Sequence, residues 1–299
     1  MLKKVYLSCA FVLFAISLFL GIDRVCHHRS SHFSLGKIRT SNLFSPEWGT
    51  PTLSDQEMQA LRQILNQKFV LYSKGSRSHV CMSEDGRYIL KFLKYQHLNR
   101  KSWLTQLACS FNPFYQKFLF KQRKCHTLLN AWKAAFTQLK EEAGLIYMHT
   151  NNAQPLNQKI VILDKEVQEH RIDLDKTLFC VQKHANLTYL RIAELMQSGD
   201  VEKAKGIISS IFSLIDRLGQ KGVIDDEFCS NFNFGLLGDE VIQVDIGKLH
   251  VDPICGQDSV YKQKIAPMTK PLKNWLEHNY PELFAHFESC LENFTQKSD

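Results

Sequence analysis

Apolar residues recur at helical spacing through Ile207, Ile208, Ile211, Phe212, Ile215 and Leu218, which predicts an amphipathic helix closed by Gly219 or Gly222. Beyond it the period shortens. Asn233–Leu237 and Val241–Val244 are short apolar runs parted by Gly238-Asp239, a dipeptide suited to a tight turn, and they read as a hairpin. Upstream, Val70–Val80, a Glu84-Asp85-Gly86 turn and Tyr88–Phe92 predict a further hairpin whose last strand sets Lys91 between apolar neighbours. Leu128–Glu142 has helical periodicity through Trp132, Phe136 and Leu139. Leu145–His149 and Thr177–Gln182 read as strands and Leu187–Gln197 as a helix. Lys270–Asn293 reads as a closing helix or helix pair, with Trp275, Leu276, Leu283, Phe287 and Leu291 at core spacing.

The amino-terminal segment differs in kind. Val5–Ile22 is apolar throughout and follows Lys3 and Lys4, long enough to span a bilayer, and no Ala-x-Ala-like cleavage site follows it. It is expected to be an uncleaved signal anchor, a transmembrane helix within residues 1–25. Residues 26–52, rich in Ser, His and Arg, are expected to be a tether. Basic residues on both sides of the span leave its orientation open by charge alone.

The chemistry concentrates between Gly222 and Leu249. Asn233 and Asp245 are expected to face each other across the base of the second hairpin. An amide oxygen and a carboxylate converging there are hard oxygen donors, the kind Mg²⁺ takes while water and phosphate oxygens fill its other positions. Gly247 lets the chain turn sharply beside such an ion. Asp225 and Asp226 are expected on a loop entering the site. Taken alone, two acids in a loop are ordinary turn residues. Asp245 interrupts an apolar strand end, where a buried carboxylate requires a partner.

This order of parts resembles the catalytic half of the protein-kinase-like fold, in the form seen in divergent bacterial kinase-like proteins: helix, loop aspartate, asparagine, hairpin, then Asp245-Ile246-Gly247 in place of Asp-Phe-Gly. The likeness covers about Lys68 to Phe294. It implies an α+β, two-lobed domain over residues 53–299, with an N-lobe of about 60–182 and a C-lobe of about 183–299, binding ATP and Mg²⁺ between the lobes. Lys91 then resembles the phosphate-pairing lysine and Gly75 the surviving glycine of the nucleotide-covering loop. Glu142, or Glu141, is the lysine's implied partner, and Lys183 opens the hinge. Asn233 and Asp245 are the implied magnesium ligands, with Asn231 as alternate. Asp225 is the residue implied to position the accepting hydroxyl, with Asp226 as alternate. The sequence departs from the family pattern where Val223-Ile224 replaces His-Arg and where Ser73 and Ser78 replace glycines.

Three functions follow from the resemblance: phosphoryl transfer to a hydroxyl, a catalytically inactive pseudokinase scaffold that binds a protein partner, and a small-molecule kinase of the choline- or aminoglycoside-kinase kind. No Ala-Pro-Glu close follows Leu249, which weighs against a regulated protein-substrate kinase. Composition refines the picture little. Length 299 suits one such domain with appendages. Nine cysteines without Cys-x-x-Cys spacing argue against a disulfide framework or a zinc site and favour a reducing compartment, with the domain facing the cytoplasm. The net charge of +7 includes Lys117, Lys121, Arg123 and Lys124 interleaved with aromatic residues. These read as a solvated helix face or a contact for anionic lipid, and no nucleic-acid partner is expected.

Overall fold

The computed structural model describes residues 35–40, 46–75, 77–94, 113–151, 154–225, 233–252 and 258–296. Val5–Ile22, Asp226 and Asn231 lie outside the described residues. Among the described residues no helix is long and apolar enough to cross a membrane.

The architecture is mixed α+β. The first part of the chain is built by period-two alternation: β1 (Lys68–Lys74), β2 (Ser78–Ser83) and β3 (Tyr88–Leu93) form an antiparallel meander turned at Gly86, whose φ of 71° favours glycine. With β4 (Leu145–His149), β5 (Lys159–Leu163), β6 (Glu169–Asp173) and β7 (Phe179–Lys183) they make a seven-stranded sheet in the order β4-β7-β3-β2-β1-β5-β6. Only β1 and β5 run parallel; the hairpin β5–β6 extends the sheet beyond the amino-terminal strand. Neither this hairpin nor α1 (Asp55–Leu65) is among the elements expected from the pattern of apolar positions. The start of α1 is nonetheless marked by a capping box, in which Ser54 Oγ accepts from Glu57 N–H and the Glu57 carboxylate accepts from Ser54 N–H.

The two faces of the sheet are covered differently. Leu90 and Phe92 of β3 and Phe179 and Val181 of β7 pack with Met58, Leu61 and Leu65 of α1. Residues of opposite phase, Leu93 and Cys180, join a second core around α2 (Pro113–Gln138), centred on Leu129 and Trp132. Lys91 shares their phase and therefore leaves the sheet on the α2 side. Helix α2 begins well before the expected Leu128 and ends before Glu142. Residues 139–144 instead form turns closed by Gly144, at φ 58°.

The second core continues into the carboxy-terminal half. There β8 (Asn186–Leu187), α3 (Thr188–Gln197) and α4 (Val201–Gln220) precede β9 (Val223–Asp225), and β10 (Phe234–Leu237) and β11 (Glu240–Gln243) form the expected hairpin with Gly238 in its turn. β12 (Leu249–Val251) pairs with β9. Two helices close the fold, α5 (Asp258–Asn279) and α6 (Pro281–Gln296), burying Leu272, Leu276, Leu283 and Phe287. Helix α5 starts twelve residues before the expected Lys270, because Pro267 and Pro271 sit inside it and read in sequence as breakers.

Gly235 on β10 lies where three strands meet. A Cβ there would stand 2.7 Å from both Ala185 Cβ and Val244 Cγ2, neither of which is the free end of a flexible side chain. Gly235→Ala is therefore expected to lower stability by about 1–3 kcal/mol through overpacking. Denaturant midpoints of the two proteins measure this, and equal midpoints would refute it.

Candidate functional site

The β1–β2 turn, β3, the segment 182–187 and the stretch between β11 and β12 enclose a cavity of about 360 Å³. Val80 and Ile89 line it from the sheet and Leu187 and Ile246 from the other half, with Leu128 and Trp132 of α2 contributing as well. These apolar walls suit a flat, partly hydrophobic ligand, and the polar groups are gathered among Lys91, Gln182 and Asp245.

Lys91 occupies the middle of β3, opposite Val80 and Cys180. Its ammonium donates to the carbonyl of Val244 at 2.7 Å. The Cys180 thiol beside it is fully buried, and burial pushes it up to about 12, so this wall stays neutral. Asp245 follows Val244. Contrary to the expectation of a buried carboxylate, its side chain is exposed on the cavity, and its Oδ1 accepts from the Gly247 amide at 2.9 Å. The Gly247 carbonyl accepts from Arg77 Nη1 at 3.3 Å, so the β1–β2 turn leans on this segment. Gly75 lines the cavity in that turn, and its carbonyl accepts from the Lys94 ammonium.

Asp225, expected on a loop entering the site, stands elsewhere. It ends β9 and is buried to 2% exposure, because β12 pairs across it through Leu249. A carboxylate there needs donors. Asp225 Oδ2 receives them from Asn233 Nδ2 at 3.0 Å and Gln243 Nε2 at 2.7 Å. Gln243 Nε2 also lies 2.8 Å from the Asp245 carbonyl, and the Asn233 carbonyl accepts the Val244 amide at 2.6 Å. Asp225, Asn233 and Asp245 are thus brought together, through a glutamine that the sequence analysis does not single out. Its signal in the sequence is slight: a polar residue at an inward position of an otherwise apolar strand.

Glu142 does not meet Lys91. It lies past the end of α2, where its carboxylate pairs with Lys221 at 2.5 Å and its carbonyl accepts the Gln243 amide at 2.7 Å. The sequence expectation failed because the helix stops four residues short of it. Glu141 is exposed in the same turn. Lys183 ends β7 with an exposed side chain at the cavity rim, its amide donating to the Gly144 carbonyl at 2.8 Å. Next to it, Gln182 is buried and its Nε2 reaches the carbonyls of Ala143 at 2.6 Å and of Gln243 and Val244 at 3.2 Å.

The donor set bears on magnesium. Asn233 is buried, gives its amide nitrogen to Asp225 and is not among the residues lining the cavity. The exposed Asp245 carboxylate does line it, one hard oxygen donor of the kind an ion takes when water and phosphate complete its shell. No cluster of three or more His, Cys, Asp or Glu side chains exists among the described residues to hold a metal by itself.

The β2–β3 turn steadies the cavity's edge. His184 Nδ1 donates to the Gly86 carbonyl at 2.8 Å. Partial burial pushes the Asp85 carboxyl up, but bonds from the Ser83 hydroxyl, the Arg87 amide and the Arg87 guanidinium outweigh it and hold the group at about 2, against an ordinary 3.8. A depressed folded pKa stabilises above the unfolded value, and that contribution is lost as pH falls toward the folded one. The acid limb of unfolding between pH 3.8 and about 2 is therefore expected to flatten in Asp85→Asn, as measured by thermal melts across that window. For the interior cluster, Gln243→Leu removes both amide contacts and takes one donor from the buried Asp225 carboxylate, at an expected cost of about 1–3 kcal/mol. Chemical denaturation checks it, and a midpoint equal to the parent's would contradict the role given to Gln243.

No protein-family model matches the sequence, and no curated protein matches it. Among solved structures the chain is similar to WbdD, described as a bifunctional kinase-methyltransferase. Identity is 14% and the TM-score 0.34, over 74% of this chain and 45% of WbdD, so the chain spans less than half of that protein's length. It is also similar to Rv3197 from Mycobacterium tuberculosis, solved in complex with erythromycin, at 14% identity and a TM-score of 0.35 over 82% of this chain and 65% of that one. Likenesses this low carry no functional argument.

Proposed function

We propose that this chain is a two-lobed, protein-kinase-like domain that binds ATP with Mg²⁺ between the seven-stranded sheet and the helical half. One observation carries the reading: a lysine at the centre of a sheet strand and the Asp245 carboxylate, just past a separate hairpin, line one cavity, with the buried Asp225–Asn233–Gln243 cluster packed behind Asp245. In this reading Lys91 lies over the nucleotide phosphates once they displace its contact with the Val244 carbonyl. Asp245 gives an oxygen to magnesium, and the stretch from Lys183 to Ala185 borders the base. When bound, magnesium would neutralise developing charge on the phosphates. The reaction is phosphoryl transfer to a hydroxyl, with Asp225 positioning the acceptor and Asp226, outside the described residues, as its alternate. Val5–Ile22 would hold the domain at a membrane, facing the cytoplasm where ATP is available.

A second reading has its own support. Asp225 is buried, and one of its oxygens is taken by two amides, an arrangement that suits a structural acid. On that reading the domain binds nucleotide without transfer and acts as a pseudokinase scaffold.

Thermal unfolding of the full-length protein in mild detergent, with ATP, Mg²⁺ or both, tests the nucleotide site. Both together are expected to stabilise by about 2.7 kcal/mol at ligand a hundredfold above its dissociation constant. Lys91→Ala and Asp245→Asn should abolish the shift. No shift at saturating Mg·ATP would overturn the proposal. A shift without any ATP turnover by the parent protein would leave the scaffold reading standing in place of the enzyme.

A further inference from the structure

A second cavity, of about 440 Å³, shares no lining residue with the first. Helix α4 lines it with Ser209, Ser213, Asp216 and Gln220, spaced to lie on one helical face, and α6 contributes Cys290. His286 stands one turn before Cys290 on α6, so the two side chains overlie each other. Three heteroatoms meet there. His286 Nε2 is 3.5 Å from Cys290 Sγ, and Ser209 Oγ is 2.9 Å from that nitrogen and 3.7 Å from the sulfur.

Packing alone accounts for one Ser–His hydrogen bond. The i, i+4 spacing on α6 closes the triangle with a thiol on the same nitrogen. Those distances have a chemical meaning. Zinc holds imidazole nitrogen at about 2.1 Å and thiolate at about 2.3 Å, and two such ligands subtending a tetrahedral angle stand about 3.6 Å apart. The His286–Cys290 separation matches that edge without movement of either helix. Both residues come from one rigid helix, so a cation bound by the first meets the second at high effective concentration. The cavity beside them has room for the water that completes the shell, and Asp216 supplies a carboxylate on its wall.

We propose that His286 and Cys290 form a two-point chelate for a zinc-class divalent cation, with the Ser209 hydroxyl as its third neighbour. On binding, the thiol proton leaves to solvent and the sulfur–metal bond replaces it, while His286 binds as neutral imidazole. The site is independent of the nucleotide reading, since no residue is common to both.

Cd²⁺ titration of the reduced full-length protein in detergent tests it, followed through the ultraviolet charge-transfer band of a cadmium–thiolate bond. The parent protein is expected to show a saturable band at one Cd²⁺ per chain, reversed by excess Zn²⁺. That band should disappear in Cys290→Ser, weaken roughly a hundredfold in affinity in His286→Gln as the chelate is halved, and survive in Lys91→Ala. Thiolate absorbance from the other eight cysteines persists in every variant and is subtracted, so the band followed throughout is the difference from Cys290→Ser. Absence of the band in the parent protein, or identical titrations for the parent and Cys290→Ser, would overturn the site. If Cys290→Ser does not fold, His286→Gln decides by itself, and unchanged affinity there would overturn the chelate.

Discussion

A carboxylate with 2% exposure cannot stand without donors, and the way Asp225 obtains them organises the carboxy-terminal half of this protein. Its donors come from the two ends of one hairpin: Asn233 immediately precedes β10, and Gln243 ends β11. Those positions are cross-strand neighbours, since Phe234 pairs with Gln243. Satisfying one charge therefore fixes the hairpin against β9. Gln243 extends the effect by holding the Asp245 carbonyl, so the exposed carboxylate of Asp245 is set in place by a buried one that it never touches.

The same interior polar chain ties the two halves of the fold together. Gln182, at the end of the sheet, reaches carbonyls on the turn after α2 and on β11; the Glu142 carbonyl takes the Gln243 amide; Lys91 takes the Val244 carbonyl. Each bond adds about 1 kcal/mol net, but each group would cost more than that if left buried and unpaired. The junction is thus specified by polar satisfaction more than by apolar area. It is also strained for partners: Gln182 Oε1, Gln243 Oε1 and Glu142 Oε2 are buried without a hydrogen bond. Of the three residues, Gln182 lines the cavity; a buried unpaired acceptor there is the kind of local frustration that functional sites retain.

Most elements were legible because each has a strong local signal. Lys91 between apolar neighbours, the Gly238 turn and the α4 stripe depend on spacing within a few residues, and the structure holds all three. The failures share a cause. Pro267 and Pro271 concealed the first turns of α5, since a proline's local preference is overridden when tertiary packing holds the helix around it. The β5–β6 hairpin had no partner visible in sequence, because it pairs with β1 some ninety residues earlier. Glu142 was placed on the wrong cation because its role depends on where α2 stops, and Gly144 with its left-handed backbone sets that stop.

The sequence by itself determined the first meander, the α4 stripe, the β10–β11 hairpin with its turn, and the gathering of acids and amides between Gly222 and Leu249. Periodicity and turn chemistry act over short stretches of chain and need no fold to be read. Only the tertiary structure decided that Asp225 is buried and Asp245 exposed, that Gln243 joins them, and that Glu142 belongs to Lys221. Burial and pairing of a charge are set by what the rest of the chain packs around it, and two aspartates of identical chemistry receive opposite environments for that reason.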